Sequence, residues 1–259
     1  MPVPRLHLFE LEDQSWFPAI LRDYATDYLH VMQRALKLEG VLFPLVERIV
    51  RSAGVREIVD LCSGGSGPVP ALVERLQQSG LDVRATLTDL YPNTAAFEAI
   101  RAGSDGRIGF VGDAVDARAV PARLTGLRTM FNGFHHFAPL DAQAILTNAV
   151  NAGQPIAIFE VSERSARNIL PVILVPIFVW LATPFMRPFP WRRLLWTYPV
   201  PLVPLTCFWD GVVSQWRAYT VPELRELGRQ AGPFTWEAGQ VPMAGGWTRL
   251  TYLMGLPKT

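Results

Sequence analysis

The stretch Ile58-Val59-Asp60-Leu61-Cys62-Ser63-Gly64-Gly65-Ser66-Gly67-Pro68 constrains this chain more than any other. A short apolar run passes directly into small residues, and a periodic apolar segment follows from Val69, so the pattern reads strand, tight turn, helix. Small residues let a ligand approach the backbone, and a helix N-terminus offers free N–H groups. From Arg56 onward, strand readings at 56–61, 82–87, 108–111, 127–131 and 155–161 alternate with helical readings at 69–76, 95–101 and 140–150. That alternation predicts an α/β fold of βαβ units, a parallel sheet with both faces covered. A helix over 221–231 and strands over 234–241 and 249–253, separated by Ala-Gly-Gly, predict a hairpin that closes the sheet. Upstream, residues 14–52 read as helical, with Ile20, Leu21, Tyr24, Tyr28, Val31, Met32 and Leu36 on one face, and a second amphipathic stretch of Leu42, Leu45, Val46, Ile49 and Val50 ends at Gly54.

Two cofactor classes use such a turn, dinucleotides and S-adenosylmethionine. The dinucleotide fingerprint needs a third glycine for close helix–strand packing, and counting from Gly65 and Gly67 that position is Pro70. The other pattern opens with an acid at the strand end, here Asp60, followed by a looser glycine cluster, and it fits. Ser63, Gly64, Gly65 and Gly67 then lie beside the methionine part of the cofactor. The second strand should end in an acid for the ribose hydroxyls, and Asp89 follows Gly67 by 22 residues, with Leu90 beside it. The third strand ends in Gly112-Asp113-Ala114, where Asp113 can reach an adenine amino group. Three acids at successive strand ends outline one crevice along the carboxyl edge of the sheet. Asn132 adds a polar group after the fourth strand.

With DLCSGGSGP, LTDLYPN, GDA and FNGFHHF read in order, the chain resembles class I S-adenosylmethionine-dependent methyltransferases. The resemblance covers about residues 55–165 and, more loosely, the closing hairpin. It implies a Rossmann-like seven-stranded, mostly parallel sheet with an antiparallel closing strand. It also implies N-terminal helices that close over the site, which would bring Tyr24 and Tyr28 to the acceptor. The chain departs from the family at two places. Its loop is one residue longer than the common D-x-G-x-G-x-G, with Cys62 at the first glycine. The usual Leu-Lys-Pro-Gly-Gly before the fifth strand is replaced by Val150-Asn151-Ala152-Gly153-Gln154-Pro155.

Methyl transfer from a sulfonium is an in-line displacement, so alignment matters most and a base helps only when the acceptor must lose a proton. The candidates for that role are His135, His136 and Glu160, at the ends of the fourth and fifth strands. Cys62 reads as loop packing, and no His/Cys/Asp spacing suggests a metal. The alternatives are a cofactor-binding, membrane-surface or oligomeric protein of the same fold that does not catalyse, and a nicotinamide-dependent oxidoreductase.

The regular alternation stops after the fifth strand. Among the 45 residues from 169 to 213, only Arg187, Arg192, Arg193 and Asp210 are charged, eight are proline and nine are aromatic. Ile169–Met186 is uncharged, but a single crossing would part strands that share one sheet, and the later prolines speak against a second crossing. The segment therefore reads as an apolar cap, with Phe178, Trp180 and Trp209 walling an acceptor pocket, or as a surface covered by a second subunit or by a membrane interface. The expected organisation is a helical lid at 1–54, the cofactor core at 55–165, the apolar insert at 166–215 and the closing helix and hairpin at 216–259.

The formal net charge of +1 excludes a basic nucleic-acid face. Two distant cysteines, Cys62 and Cys207, exclude a disulfide framework and fit a reducing compartment. The first residues carry early charges and no apolar run, so a cytoplasmic location is expected, peripheral to the inner membrane if lipid covers the insert. Arginine dominates the basic residues, with only Lys37 and Lys258 as lysines, which fits a GC-rich bacterial coding bias. The expected partner is a small apolar molecule, with self-association into a homodimer as the other use of the apolar face.

Overall fold

The computed structural model describes residues 4–165, 169–186, 191–243, 245–246 and 248–258, so Arg187 lies outside the described residues. In chain order the helices are α1 (Ala19–Ala35), α2 (Leu38–Ala53), α3 (Val69–Gln78), α4 (Thr94–Ala102), α5 (Pro139–Asn151), α6 (Ile169–Ile173), α7 (Val175–Ala182), α8 (Trp191–Thr197), α9 (Leu202–Arg217) and α10 (Val221–Ala231). The strands are β1 (Glu57–Asp60), β2 (Arg84–Leu87), β3 (Ile108–Phe110), β4 (Leu127–Phe131), β5 (Ile156–Glu160), β6 (Thr235–Pro242) and β7 (Arg249–Leu256). The chain forms two compact units, Lys37–Val161 with Thr220–Thr259, and Met1–Leu36 with Ser162–Tyr219.

The first unit is one seven-stranded sheet in the order β3-β2-β1-β4-β5-β7-β6. β1 to β5 run parallel to one another, and β7 runs antiparallel to both β5 and β6. The sheet is Rossmann-like, with the antiparallel closing hairpin expected from the sequence. All five residues of β5 are buried, as a strand covered on both faces requires. α2 packs on α3 and reaches β5 and β7, while α10 packs on α5, β6 and β7. The chain builds β1, β2 and β3 toward one side and then returns to place β4 on the other side of β1, so the strand order reverses between β1 and β4. Ligand crevices of open α/β sheets lie outside the carboxyl ends of the strands at such a reversal.

The second unit is helical. Phe17, Leu21, Tyr24, Tyr28, Val179, Met186, Val203 and Cys207 form its buried cluster. Asp210 is buried and ties the N-terminal arm to α9, its Oδ1 accepting the Leu11 N–H (2.7 Å) and its Oδ2 the Glu12 N–H (3.1 Å). Burial pushes its carboxyl up to about 6, with the two backbone hydrogen bonds opposing the shift. Arg193 is buried with its guanidinium 4.8 Å from the Tyr24 ring centre and pairs with Asp27. No helix among the described residues is long and apolar enough to cross a membrane.

The division differs from the one read in the sequence. The helical reading of 14–52 breaks at Lys37, which adopts a left-handed conformation (φ 48°), and α2 joins the sheet unit. The cause is packing, because Leu42, Val46, Ile49 and Val50 form a buried stripe on α2. The other boundaries fall after Val161 and after Tyr219, not at 165 and 215.

Candidate active site

The carboxyl ends of β1 and β2 are joined by a network of short hydrogen bonds. Asp60 ends β1 and is 2% exposed. Its Oδ2 accepts from the Ser63 hydroxyl (2.7 Å) and its Oδ1 from the Thr129 hydroxyl (2.7 Å), while its backbone carbonyl accepts from the Thr88 N–H and hydroxyl. Desolvation pushes the Asp60 carboxyl up to about 7, with the two hydroxyls opposing that shift and the Asp89 charge adding to it. Both carboxylate oxygens are therefore occupied, and Asp60 and Ser63 brace the loop from inside. Thr88 and Thr129, which the sequence reading passed over, complete the brace. The available signal was the hydroxyl residue Thr88 directly after β2, whereas Thr129 lies in the middle of β4 and had none.

The loop itself is wound through left-handed backbone at Cys62, Gly64, Ser66 and Gly67. A Cβ at Gly64 would meet nothing within 4 Å, so the backbone there borders open space. The Gly64 N–H donates to Asp89 Oδ2 (2.9 Å), and the Tyr91 N–H donates to Asp89 Oδ1 (2.8 Å). Asp89 is only half-buried, so its carboxylate is oriented by two backbone donors and keeps lone pairs for a ligand's hydroxyls. Gly65 is half-buried, Leu90 is exposed beside Asp89, and Asp113 and Ala114 are exposed after β3. These residues fit the donor set of an adenosine: a carboxylate for the ribose diol, a further acid and an apolar side chain for the base, and a glycine loop for a zwitterionic tail.

A pyrophosphate fits less well. α3 has Pro68 as its N-cap and Pro70 in its first turn, and the Val69 N–H is spent on the Ser66 carbonyl (3.2 Å). The donors that would cradle a dinucleotide are missing from the start of that helix.

The ends of β4 and β5 form a second network. Asn132 takes a left-handed conformation (φ 53°), donates its N–H to the Phe159 carbonyl (2.7 Å) and accepts the Val161 N–H on Oδ1 (3.1 Å). That clamp holds the turn through Phe134, His135 and His136. Glu160 is 2% exposed, its Oε1 accepting the Phe134 N–H (2.7 Å) and its Oε2 lying 2.6 Å from Nδ1 of the fully buried His135. The rings of His135 and half-buried His136 lie 4.3 Å apart. Gly133 packs against Cys62 and Met130, which draws this turn up to the glycine loop. The structure thus gathers Gly64, Asp89, Asn132, His135, His136 and Glu160 along the carboxyl edge where the strand order reverses.

The residues expected to contact an acceptor belong to the helical unit. Tyr24 and Tyr28 are buried in its core, and burial holds the Tyr28 phenol above its usual range. Phe178 and Trp180 are exposed at 42% and 43%. Trp209 lines an apolar groove of about 510 Å³ with Leu11, Trp16, Leu202, Leu205 and Phe208. Cys62 and Cys207 are free thiols.

No family model and no curated protein matches this chain by sequence. Solved structures match by fold. The ligand-free crystal structure of the S-adenosylmethionine-dependent methyltransferase SibL aligns with a TM-score of 0.51 at 16% identity, over 85% of this chain and 56% of that one. The crystal structure of TnmH aligns with a TM-score of 0.51 at 18% identity, over 91% of this chain and 58% of that one. The chain spans little more than half the length of either. The chain shares its overall fold with these two structures.

Proposed function

We propose that the chain is an S-adenosylmethionine-dependent methyltransferase whose acceptor is a small, largely apolar molecule bearing a hydroxyl. The observation that carries this reading is the junction of Asp89 with the glycine loop at the point where the strand order reverses. When bound, the cofactor supplies an electrophilic methyl group on a sulfonium centre. The protein's part is to hold and align. Asp89, held in place by the Gly64 and Tyr91 amides, accepts hydrogen bonds from the ribose hydroxyls. Gly64, Gly65 and Gly67 keep the backbone clear for the methionine end, and Asp113, Ala114 and Leu90 receive the adenine. Glu160 Oε2 pairs with His135 Nδ1, so the carboxylate would orient the ring for a proton-accepting role at Nε2. Nε2 would take the acceptor's hydroxyl proton, leaving that oxygen as the nucleophile for the methyl group that the bound cofactor would supply. Glu160 is a positioning residue in this scheme, and His136 packs the His135 ring. The apolar acceptor is argued from the composition of residues 169–213.

Calorimetry tests the cofactor. The chain should bind S-adenosylmethionine and not NAD, and Asp89→Ala should weaken binding by about 2–3 kcal/mol, as for a lost charge-assisted hydrogen bond that leaves its partners unpaired. Unchanged affinity in that variant would overturn the assignment. Radiolabelled methyl transfer to apolar phenols and alcohols tests the chemistry. His135→Ala should cost about 100-fold or more in turnover with cofactor affinity retained, and Glu160→Gln should shift the pH–rate profile as well as lower it. Equal loss of cofactor binding in His135→Ala would instead make the histidine a wall of the cofactor pocket.

A further inference from the structure

α7 is apolar all round, and it is not buried. Leu174, Ile177, Phe178 and Leu181, at i, i+3, i+4 and i+7, form a stripe whose members are 37–64% exposed, while Val179 points into the core at 1%. α9 repeats the pattern with Leu202, Leu205 and Trp209 outward and Val203 and Cys207 inward. The two helices pack on one another. Phe185, at 83%, and Trp191, at 67%, add exposed rings from the same segment. A helix hydrophobic on every side belongs in a core or in lipid, and a stripe pair of this kind exceeds what a soluble surface carries.

Charge selects the occupant. Among the described residues of 169–213, Arg193 and Asp210 are buried and partnered, which leaves Arg192 as the exposed charge of the segment. That charge is positive, so an anionic surface attracts it. Three of the exposed aromatic residues already use their polar atoms within the protein. The Trp180 indole donates to the Thr197 carbonyl (3.0 Å), the Tyr198 hydroxyl to the Trp180 carbonyl (2.7 Å) and the Trp209 indole to the Phe9 carbonyl (3.0 Å). Those rings can leave water without stranding a donor. α6, α7 and α8 are far shorter than a bilayer crossing, and α9, at 16 residues, is not long and apolar enough for one, so the element suits shallow insertion in the plane of the interface.

We propose that the outer faces of α7 and α9 dock this protein onto an anionic lipid bilayer. Flotation with vesicles of phosphatidylcholine alone and of phosphatidylcholine with phosphatidylglycerol tests it, on the full chain. The protein should float with the phosphatidylglycerol vesicles more than with phosphatidylcholine alone, and added salt should weaken that preference. Leu181→Ser with Phe185→Ser should cut flotation at least tenfold. Circular dichroism and the thermal midpoint of this double variant should match the parent, because both positions are already exposed. A second pair, Ile177→Ser with Leu205→Ser, should give the same loss. No flotation with either vesicle type would overturn the proposal. So would a dimer, seen by light scattering, that these substitutions dissociate while the parent ignores lipid.

Discussion

Asp60 illustrates how one buried carboxyl sets a pH dependence. Its folded value, about 7, stands above the ordinary 3.8, so between the two the folded chain holds a proton that the unfolded chain has released. Stability must then fall as pH rises through that window, by at most about 1.4 kcal/mol per pH unit from this group, and level off above it. Asp60→Asn keeps a group that can both accept and donate between the Ser63 and Thr129 hydroxyls, and it removes the ionisation. Urea melts at pH 5 and pH 8 should show the parent losing more stability than the variant on the alkaline side. A parallel loss in both would mean that Asp60 stays ionised in the fold. The sequence made Asp60 visible as the acid before a glycine loop, but it could not reveal which way the side chain turns. That depends on Thr88 and Thr129, which lie 28 and 69 residues away in sequence and meet Asp60 only through strand pairing. Asp89 was legible more completely, because its place after the second strand also fixes its neighbour across the loop.

At the scale of elements, the period-2 and period-3.6 patterns from Arg56 to Val161 were readable because each segment buries a regular face in one sheet. The second helix was readable from Leu42, Leu45, Val46, Ile49 and Val50 and from its end at Gly54, but the break at Lys37 was not. Lys37 is an ordinary helix former, so nothing local marks its left-handed conformation. α10 has the opposite character, since its start is written locally. Thr220 and Glu223 form a reciprocal capping box, the Thr220 N–H donating to Glu223 Oε2 (2.7 Å), at the point where the chain re-enters the sheet unit. Thr220→Ala should cost about 1 kcal/mol in chemical denaturation, and Thr220→Ser should restore most of it. A loss in both variants would mean that the threonine methyl, not the cap, is what matters. The helices of residues 169–213 were illegible for a different reason. Their apolar residues face both ways, so no single period stands out.

For the whole molecule, ligand linkage gives the broadest test. Any ligand that binds the folded state alone raises stability with its concentration, by about 2.7 kcal/mol at a hundredfold excess over its dissociation constant. S-adenosylhomocysteine should raise the thermal midpoint on this scale, NAD should leave it in place, and Asp89→Ala should abolish the shift while keeping the ligand-free midpoint. A shift that survives the substitution would place the ligand elsewhere. A lipid-docked chain would also work where apolar acceptors concentrate, which joins the proposed chemistry to the proposed surface.

The sheet's closing strands carry a consequence for biosynthesis. β5 pairs along its whole length with β7, yet β7 leaves the ribosome only after the greasy helices of 169–217 have been made. For that interval the nascent chain holds a five-stranded sheet with an unpaired edge, followed by hydrocarbon-rich helices. Nascent chains arrested at residue 219 should therefore bind chaperones and sediment, and chains arrested only after β7 is released should not.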